Sequence, residues 1–226
     1  MKKNLKPLAL AAVVSCALTG CSLISNRAGD VADLTQKSMN KSMEVSSLPE
    51  VADVNDSMGD QGGLGSKLVK FDVEMKPGAD PKNVETVLDS LNSFCAKDIG
   101  EKHGCQIRIT SPAPSAEAAR PELKVDAKIS RHENGVYRYC LDAAPDFGEV
   151  KTIKVEVSGP MRCVATFAYE NKDDIQLEKL ETYASRLPQR VNDPSKGEEV
   201  SLNPVVEVKD SNLVLVVQHL EKATNY

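Results

Sequence analysis

Apolar residues alternate with polar ones in several short stretches of this chain, a pattern typical of strands that bury one face. The clearest stretch holds Val69, Phe71, Val73 and Met75, with charged residues at Lys70, Asp72 and Glu74 between them. Each such stretch predicts a strand of a half-buried sheet. The others are Cys105 to Ile109, Leu123 to Ile129, Val136 to Leu141, Ile153 to Val157, Met161 to Phe167, Val205 to Val208, and Leu213 to Val217.

Turn residues between these stretches predict three hairpins. Glu133-Asn134-Gly135 and Ser158-Gly159-Pro160 each separate two neighbouring stretches, and Asp210-Ser211-Asn212 separates the last two. Asn-Gly and Gly-Pro pairs favour tight reversals of the chain. The segment 189–203 is polar and is expected to be a loop.

Two segments show helical spacing of apolar residues. The first follows Asp80 and Pro81, a typical N-cap and first-turn pair. The second follows Asp173 and Asp174 and ends before Pro188. Together the elements predict an α+β fold, with a mainly antiparallel sheet of about six to eight strands and two helices packed on one face. The apolar positions are Val84, Val87, Leu88, Leu91, Phe94 and Cys95, then Leu177, Leu180, Tyr183, Ala184 and Leu187.

The region before residue 67 lacks sustained periodicity and is rich in Ser, Asp, Asn and Gly. Its only helical stripe is Val31, Leu34 and Met39, which is thin. We therefore expect residues 21–66 to be a flexible tether, residues 67–220 to form the folded domain, and residues 221–226 to be a tail.

The amino terminus has the organisation of an export signal. Lys2, Lys3 and Lys6 precede an apolar run from Leu8 to Leu18, which is much shorter than the roughly 20 residues that a spanning helix needs. The run ends at Leu18-Thr19-Gly20-Cys21. This tetrapeptide resembles the lipobox of bacterial lipoproteins.

The resemblance implies a signal peptide of residues 1–20 and a lipid anchor on Cys21. In that family the cysteine thiol carries a diacylglycerol, the signal is cleaved before the cysteine, and the new amino group is acylated. Ser22 follows the cysteine, whereas an Asp there would favour the inner membrane, so the resemblance implies the outer membrane with the domain facing the periplasm. An ordinary signal peptidase site is the alternative interpretation.

The charge of the chain argues against nucleic acid as a partner. The formal net charge is −5, and loss of residues 1–20, with three lysines and no acidic residue, makes the remainder more negative. An acidic chain without a basic cluster has little attraction for phosphate backbones or anionic lipid head groups. Contact with the membrane is therefore expected through the anchor alone.

Four cysteines remain beyond Cys16 and Cys21: Cys95, Cys105, Cys140 and Cys163. An even number in an exported protein predicts two disulfides, and three pairings are possible. We favour Cys95 with Cys105, and Cys140 with Cys163. The alternatives are a zinc site that includes His103 and a redox pair, but the chain has no Cys-x-x-Cys and the spacings match no zinc ribbon or finger. No metal and no cofactor other than the lipid on Cys21 is expected.

Other candidate chemistry has an ordinary structural explanation. His103, His132 and His219 are distant in sequence and belong to no catalytic motif. Asp72 and Glu74 could form a hydrolytic carboxylate pair, but they lie on a strand face that is expected to be charged throughout. The segment Gly59 to Lys67 has the glycines of a phosphate-binding loop in the wrong order, and a strand follows it.

Tyr137, Arg138 and Tyr139 form the one aromatic and cationic cluster, and we expect any partner-binding patch there. The leading hypothesis is a non-enzymatic outer-membrane lipoprotein whose domain binds another envelope protein, in assembly, in secretion or transfer machinery, or as an inhibitor. The alternative is a domain that binds or hydrolyses cell-wall material or binds a small ligand.

Overall fold

The chain folds into a sheet with helices, seen in a computed structural model that describes residues 18–62, 65–99, 103–114, 121–129, 135–143, 150–193 and 197–219, with side chains from residue 29 onward. The helices are α1 (Leu18–Ser46), α2 (Pro81–Asp98), α3 (Tyr137–Asp142) and α4 (Leu177–Ser185). The strands are β1 (Val51–Asp60), β2 (Lys67–Met75), β3 (Gly104–Ser111), β4 (Glu122–Ile129), β5 (Val150–Ser158), β6 (Arg162–Tyr169), β7 (Arg190–Asp193), β8 (Glu198–Lys209) and β9 (Asn212–His219).

The strands form one nine-stranded mixed sheet in the order β1-β2-β3-β4-β5-β6-β9-β8-β7. The β2/β3 and β4/β5 pairs are parallel, and the other neighbours are antiparallel. The predicted α+β class is confirmed. The sheet is larger than the six to eight strands expected, and the described residues contain four α-helices rather than two.

The chain repeats a simple order of elements, in which two antiparallel strands are followed by a helix. β1 and β2 precede α2, β3 and β4 precede α3, and β5 and β6 precede α4. A helix after each strand pair returns the chain to the starting end of the sheet, so the next strand runs parallel to its neighbour. This return explains the two parallel pairs in a sheet that is otherwise antiparallel.

One face of the sheet forms the core. Residues that face each other across neighbouring strands share a side of the sheet. Phe71, Ile107 and Ala127 are such partners, and all three are fully buried. The row continues through Val157, Cys163 and Val217, and it joins the apolar sides of the helices in a single hydrophobic cluster.

The other face of the sheet carries polar side chains, as the alternation predicts. Asp72, Arg108 and Asp126 lie side by side there on β2, β3 and β4. We call this the open face. Its outward positions on β2, β4 and β5 are exposed or half-buried: Asp72, Glu74, Lys124, Asp126, Lys128, Lys154 and Glu156.

The expectation of a flexible tether over residues 21–66 is wrong, because helix α1 and strand β1 occupy most of that range. β1 pairs with β2 along its whole length. Helix α1 packs on β1 and α2 through a buried stripe of Leu34, Ser38, Ser42 and Val45. Two of its four members are serines, which leave no apolar periodicity in the sequence, and Met39 of the expected apolar stripe is exposed.

Two further assignments need correction. The stretch from Val136 to Leu141, expected to be the return strand of a hairpin, contains α3, and β4 pairs instead with β3 and β5. Residues 130–134, which include most of the expected turn, lie outside the described residues. The segment 189–203, expected to be a loop, contains β7 and the first half of β8.

Local signals identified the other elements correctly. The Asp80 side chain caps α2 by accepting a hydrogen bond from the backbone N–H of Lys82 at 2.9 Å. The β5–β6 and β8–β9 hairpins form at the expected turns. The start expected for the second helix needs correction: Asp173 and Asp174 belong to a short 3₁₀ turn, and α4 begins at Leu177. Residues 221–226 lie outside the described part of the chain.

Candidate functional site

The residue expected to carry lipid lies near the start of the first helix. Cys21 is in the first turn of α1, and its side chain is outside the described residues. Among the α1 side chains that the structure describes, from Gly29 onward, the first that is buried against the domain is Leu34. At roughly 1.5 Å per residue, the helix between these two positions is about 20 Å long. None of the described helices combines the length and the apolar character that crossing a bilayer requires.

Both favoured disulfides are present. Cys95 near the end of α2 is bonded to Cys105 at the start of β3, and Cys140 in α3 is bonded to Cys163 in β6. The second bridge therefore joins a helix to a strand, not two strands. Because all four sulfur atoms are in disulfides, none can bind zinc as a thiolate. The described residues contain no cluster of His, Cys, Asp and Glu that could hold a metal ion.

The predicted aromatic patch is largely internal. Tyr137 is buried, and its hydroxyl donates a hydrogen bond to the carboxylate of Asp89 on α2. Burial, followed by the hydrogen bond to Asp89, raises the pKa of Tyr137. Arg138 and Tyr139 are half-buried. Of the three residues, only these two retain surface that a partner could contact.

Tyr139 also helps to join two helices. Its backbone carbonyl accepts a hydrogen bond of 2.7 Å from the hydroxyl of Tyr183 on α4. Burial, with smaller effects from Asp142 and Tyr139, raises the pKa of Tyr183. The cluster at residues 137–139 thus connects α3 to α2 on one side and to α4 on the other.

An acidic surface lies beside α3, and sequence analysis did not identify it. Glu85 is half-buried, and burial, followed by the negative charges of Asp142 and Asp89, raises its pKa. The positive charge of Arg138 opposes this shift. These carboxylates come from two helices that are far apart in sequence, so only the fold brings them together.

The two described histidines, His103 and His219, both contact backbone groups through Nδ1. The Nδ1 atom of His103 accepts a hydrogen bond from the backbone N–H of Lys67 at 3.1 Å. The Nδ1 atom of His219 lies 3.2 Å from the carbonyl oxygen of Ser201. Each ring thus interacts with backbone at the margin of a strand. His132 lies outside the described residues.

The carboxylates of Asp72 and Glu74 lie on the open face, in a field of mixed charge. The guanidinium of Arg108 is 3.8 Å from the Asp72 carboxylate and 4.0 Å from that of Asp126. The end of β1 and the start of β2 are joined by an ion pair of 2.5 Å between Asp60 and Lys67. The segment 59–67 therefore connects two strands rather than a strand and a helix.

The open face has two chemically different halves. On β2 to β5 it carries charged side chains. On β6, β9 and β8 it carries Val164, Val216 and Val205, which lie side by side across the three strands. A surface depression of about 490 Å³ lies over this second half, and Arg162, Glu207 and Lys209 are among the residues that line it.

Comparison of the chain with protein-family models, with curated proteins and with solved structures gave no match.

Proposed function

We propose that the protein is a non-enzymatic lipoprotein of the outer membrane, anchored through Cys21, whose disulfide-bonded domain faces the periplasm and binds another envelope protein. The observation that carries the proposal is the order of lysines, a short apolar run and Leu18-Thr19-Gly20-Cys21 at the amino terminus. Two or more acyl chains hold a protein on a bilayer stably, whereas one chain binds reversibly.

The disulfides support export from the cytosol. Bridges such as Cys95–Cys105 and Cys140–Cys163 persist in oxidising compartments and are rare where thiols are kept reduced. Both bridges connect a helix to the sheet. They therefore stabilise the contact between the helices and the sheet, and neither bridge uses a residue of the open face.

The open face is the surface we propose for the partner. Its side chains stand on neighbouring strands of the sheet, and it carries both cations and carboxylates, as in the row of Asp72, Arg108 and Asp126. Mixed charge of this kind contributes more to the choice and orientation of a partner than to affinity. The short helical connection between Cys21 and the domain would hold this face at a fixed distance from the membrane.

Mass spectrometry of the amino-terminal peptide tests the anchor. The peptide from the wild-type chain should begin at Cys21 and carry fatty acyl adducts. Replacement of Cys21 with Ala should abolish the adducts and leave the chain uncleaved or soluble. Cys16→Ala is the matched control and should change nothing, since Cys16 belongs to the signal. A mature wild-type peptide without acyl groups would contradict the proposal.

Site-specific crosslinking tests the partner surface. A photoreactive residue at Lys124 on the open face should crosslink to one defined envelope protein, whereas a photoreactive residue at Met39 on the exposed side of α1 should not. The Asp126→Lys variant should weaken that crosslink. No discrete product from any position of the open face, together with turnover of a cell-wall substrate by the purified protein, would overturn the proposal.

The alternative, a domain that binds or hydrolyses cell-wall material or a small ligand, has less support from the geometry. It requires a deep pocket that combines His132 or His219 with a carboxylate. The contact recorded for His219 is between its Nδ1 atom and the carbonyl oxygen of Ser201, not with a carboxylate. The depression on the open face is lined by strand residues and the β8–β9 turn, without a histidine.

A further inference from the structure

Strand β8 is much longer than the strand that covers it. β7 pairs only with the first four residues of β8, Glu198 to Ser201, and the backbone N–H of Leu202 donates to the Gln189 carbonyl at 2.9 Å. No described residue pairs with the outer side of β8 beyond that point. We call the segment Asn203 to Lys209 the β8 edge.

The direction of each backbone group on this edge follows from the turn. Lys209 and Asn212 face each other across the two-residue turn of Asp210 and Ser211, where φ is 49° and 68°. Such a turn closes with both hydrogen bonds between the flanking residues, so odd-numbered residues of β8 bond to β9 and even-numbered ones point outward. The outward N–H of Leu202 agrees with this alternation.

The outward backbone groups can form hydrogen bonds with an additional strand. Val206 and Val208 each present an N–H and a carbonyl, and Pro204 presents a carbonyl only. Pro204, Val206 and Val208 lie on the core side of the sheet, whereas Val205 lies on the open face among Asn203, Glu207 and Lys209. Val205 is 39% exposed on the open face, and Val208 is 50% exposed on the other. A long exposed edge with apolar side chains is a site for strand pairing.

We propose that the β8 edge pairs antiparallel with the β8 edge of a second copy of this chain, about a two-fold axis at Val206. Val206 then bonds to Val206 of the second copy in both directions, and each Val208 N–H donates to the opposite Pro204 carbonyl. The outward N–H groups of Val206 and Val208 in both copies, four in all, then have hydrogen-bond acceptors. The axis lies at the middle residue of the seven-residue edge, so the pairing uses its full length.

The charges on the edge permit this pairing. Although the chain as a whole carries a formal charge of −5, the β8 edge carries one Glu and one Lys. With the axis at Val206, Glu207 faces Val205 of the second copy and Lys209 faces Asn203. An axis at residue 207 would place two Glu207 carboxylates directly opposite, which is destabilising. Electrostatics therefore disfavours that neighbouring register.

The proposed pairing has closed two-fold symmetry. A two-fold contact uses the same surface on both copies, so the pairing ends at a dimer. The remaining strand edges of the dimer are the outer sides of the two β7 strands, which are only four residues long, and the two β1 strands. Each β1 strand carries Asp53, Asp56 and Asp60, and like charges on two such strands oppose their pairing.

Charge changes at Val205 test both the dimer and its register. Light scattering of the full chain in detergent should show a dimer that dissociates on dilution. Val205→Glu should weaken association roughly ten-fold, because two new carboxylates face Glu207 of the opposite copy. Val205→Lys is the matched control and should retain or strengthen the dimer. The double variant Val205→Glu/Glu207→Lys should restore it.

Thermal unfolding checks that the variants fold, which is expected because the changed side chains are exposed. A wild-type chain that is monomeric at the highest concentration overturns the proposal. Equal effects of Val205→Glu and Val205→Lys overturn the register. Neither result depends on the lipid on Cys21 or on an envelope partner, so failure of the dimer is distinguishable from failure of the proposed function.

Discussion

The two edges of the sheet are protected to different degrees. At one edge, β1 carries three aspartates, and α1 packs on it, with Ser38 donating a hydrogen bond to Asp56 at 2.9 Å. At the other, β7 covers four residues of β8 and leaves Asn203 to Lys209, with the exposed side chains of Val205 and Val208, without a neighbouring strand in the described part of the chain. The first edge has the features of a strand that avoids pairing. The second carries Pro204, one Glu and one Lys, but it has no run of like charges, and its exposed valines favour pairing.

An exposed strand edge does not pair with another strand merely because it is exposed. Both β1 and the β8 edge lack a neighbouring strand on one side among the described residues. They differ in charge and in the number of exposed apolar side chains. Substitutions near each edge can therefore distinguish the interactions that stabilise that edge from the features that make it available for strand pairing.

The largest change in the free energy of unfolding is expected from removal of the Cys140–Cys163 disulfide. Removal of the Cys140–Cys163 bridge by two serines should lower the free energy of unfolding by about 3.5 kcal/mol, because it frees a loop of 23 residues. The matched control removes Cys95–Cys105, whose separation is 10 residues, and should cost about 2.7 kcal/mol. Denaturant unfolding measures both. Unchanged unfolding of either variant would contradict a stabilising bridge.

A second large effect is expected where α1 meets the domain. Leu34→Ala should lower the free energy of unfolding by about 2–3 kcal/mol, since the side chain is 4% exposed and leaves a cavity. Met39→Ala, on the exposed side of the same helix, should change it by less than about 0.5 kcal/mol. Equally small effects in the two variants would mean that α1 is not packed on the domain.

A smaller effect is expected at the contact between α1 and β1. Ser38→Ala should cost about 1 kcal/mol, because the buried hydroxyl loses its hydrogen bond to Asp56. Ser46→Ala is the control, since its exposed hydroxyl bonds only to the carbonyl of Met43 in its own helix. Urea unfolding of the two variants provides the measurement. A greater loss from Ser46→Ala would argue against this contact.

A substitution in the turn beside the β8 edge should increase the free energy of unfolding by a similar amount. Ser211 has φ of 68°, a conformation that costs a residue with a side chain about 1 kcal/mol. Ser211→Gly should therefore raise stability by up to about 1 kcal/mol. Ser201→Gly, within strand β8, should lower stability by about 0.5–1 kcal/mol. Destabilisation by Ser211→Gly would contradict the turn geometry from which the outward groups were assigned.

The elements that sequence predicted well are those defined by nearby residues. Asp80 and Pro81 mark the start of α2, and Ser158-Gly159-Pro160 marks the β5–β6 turn, so neither depends on distant packing. The disulfide pairing was predicted for the same reason, because each bridge joins cysteines close in sequence. The prediction failed at α1, whose buried stripe includes Ser38 and Ser42. Small polar residues can pack closely on a strand, but they leave no apolar periodicity.

The candidate surfaces were less predictable, because they depend on which strands become neighbours. The row of Val164, Val216 and Val205 exists only because β9 lies between β6 and β8. The length of the β8 edge depends on where β7 stops. Tyr137 illustrates the opposite error, since an aromatic residue beside an arginine suggested a binding patch and is in fact buried against α2.

Amide hydrogen exchange along β8 tests most directly the claim that this edge is open and self-pairing. In dilute solution the amides of Val206 and Val208 should exchange rapidly, while those of Val205 and Glu207, bonded to β9, should be protected. At high concentration Val206 and Val208 should become protected as well. Equal protection of all four amides in dilute solution, or no change with concentration, would contradict the account.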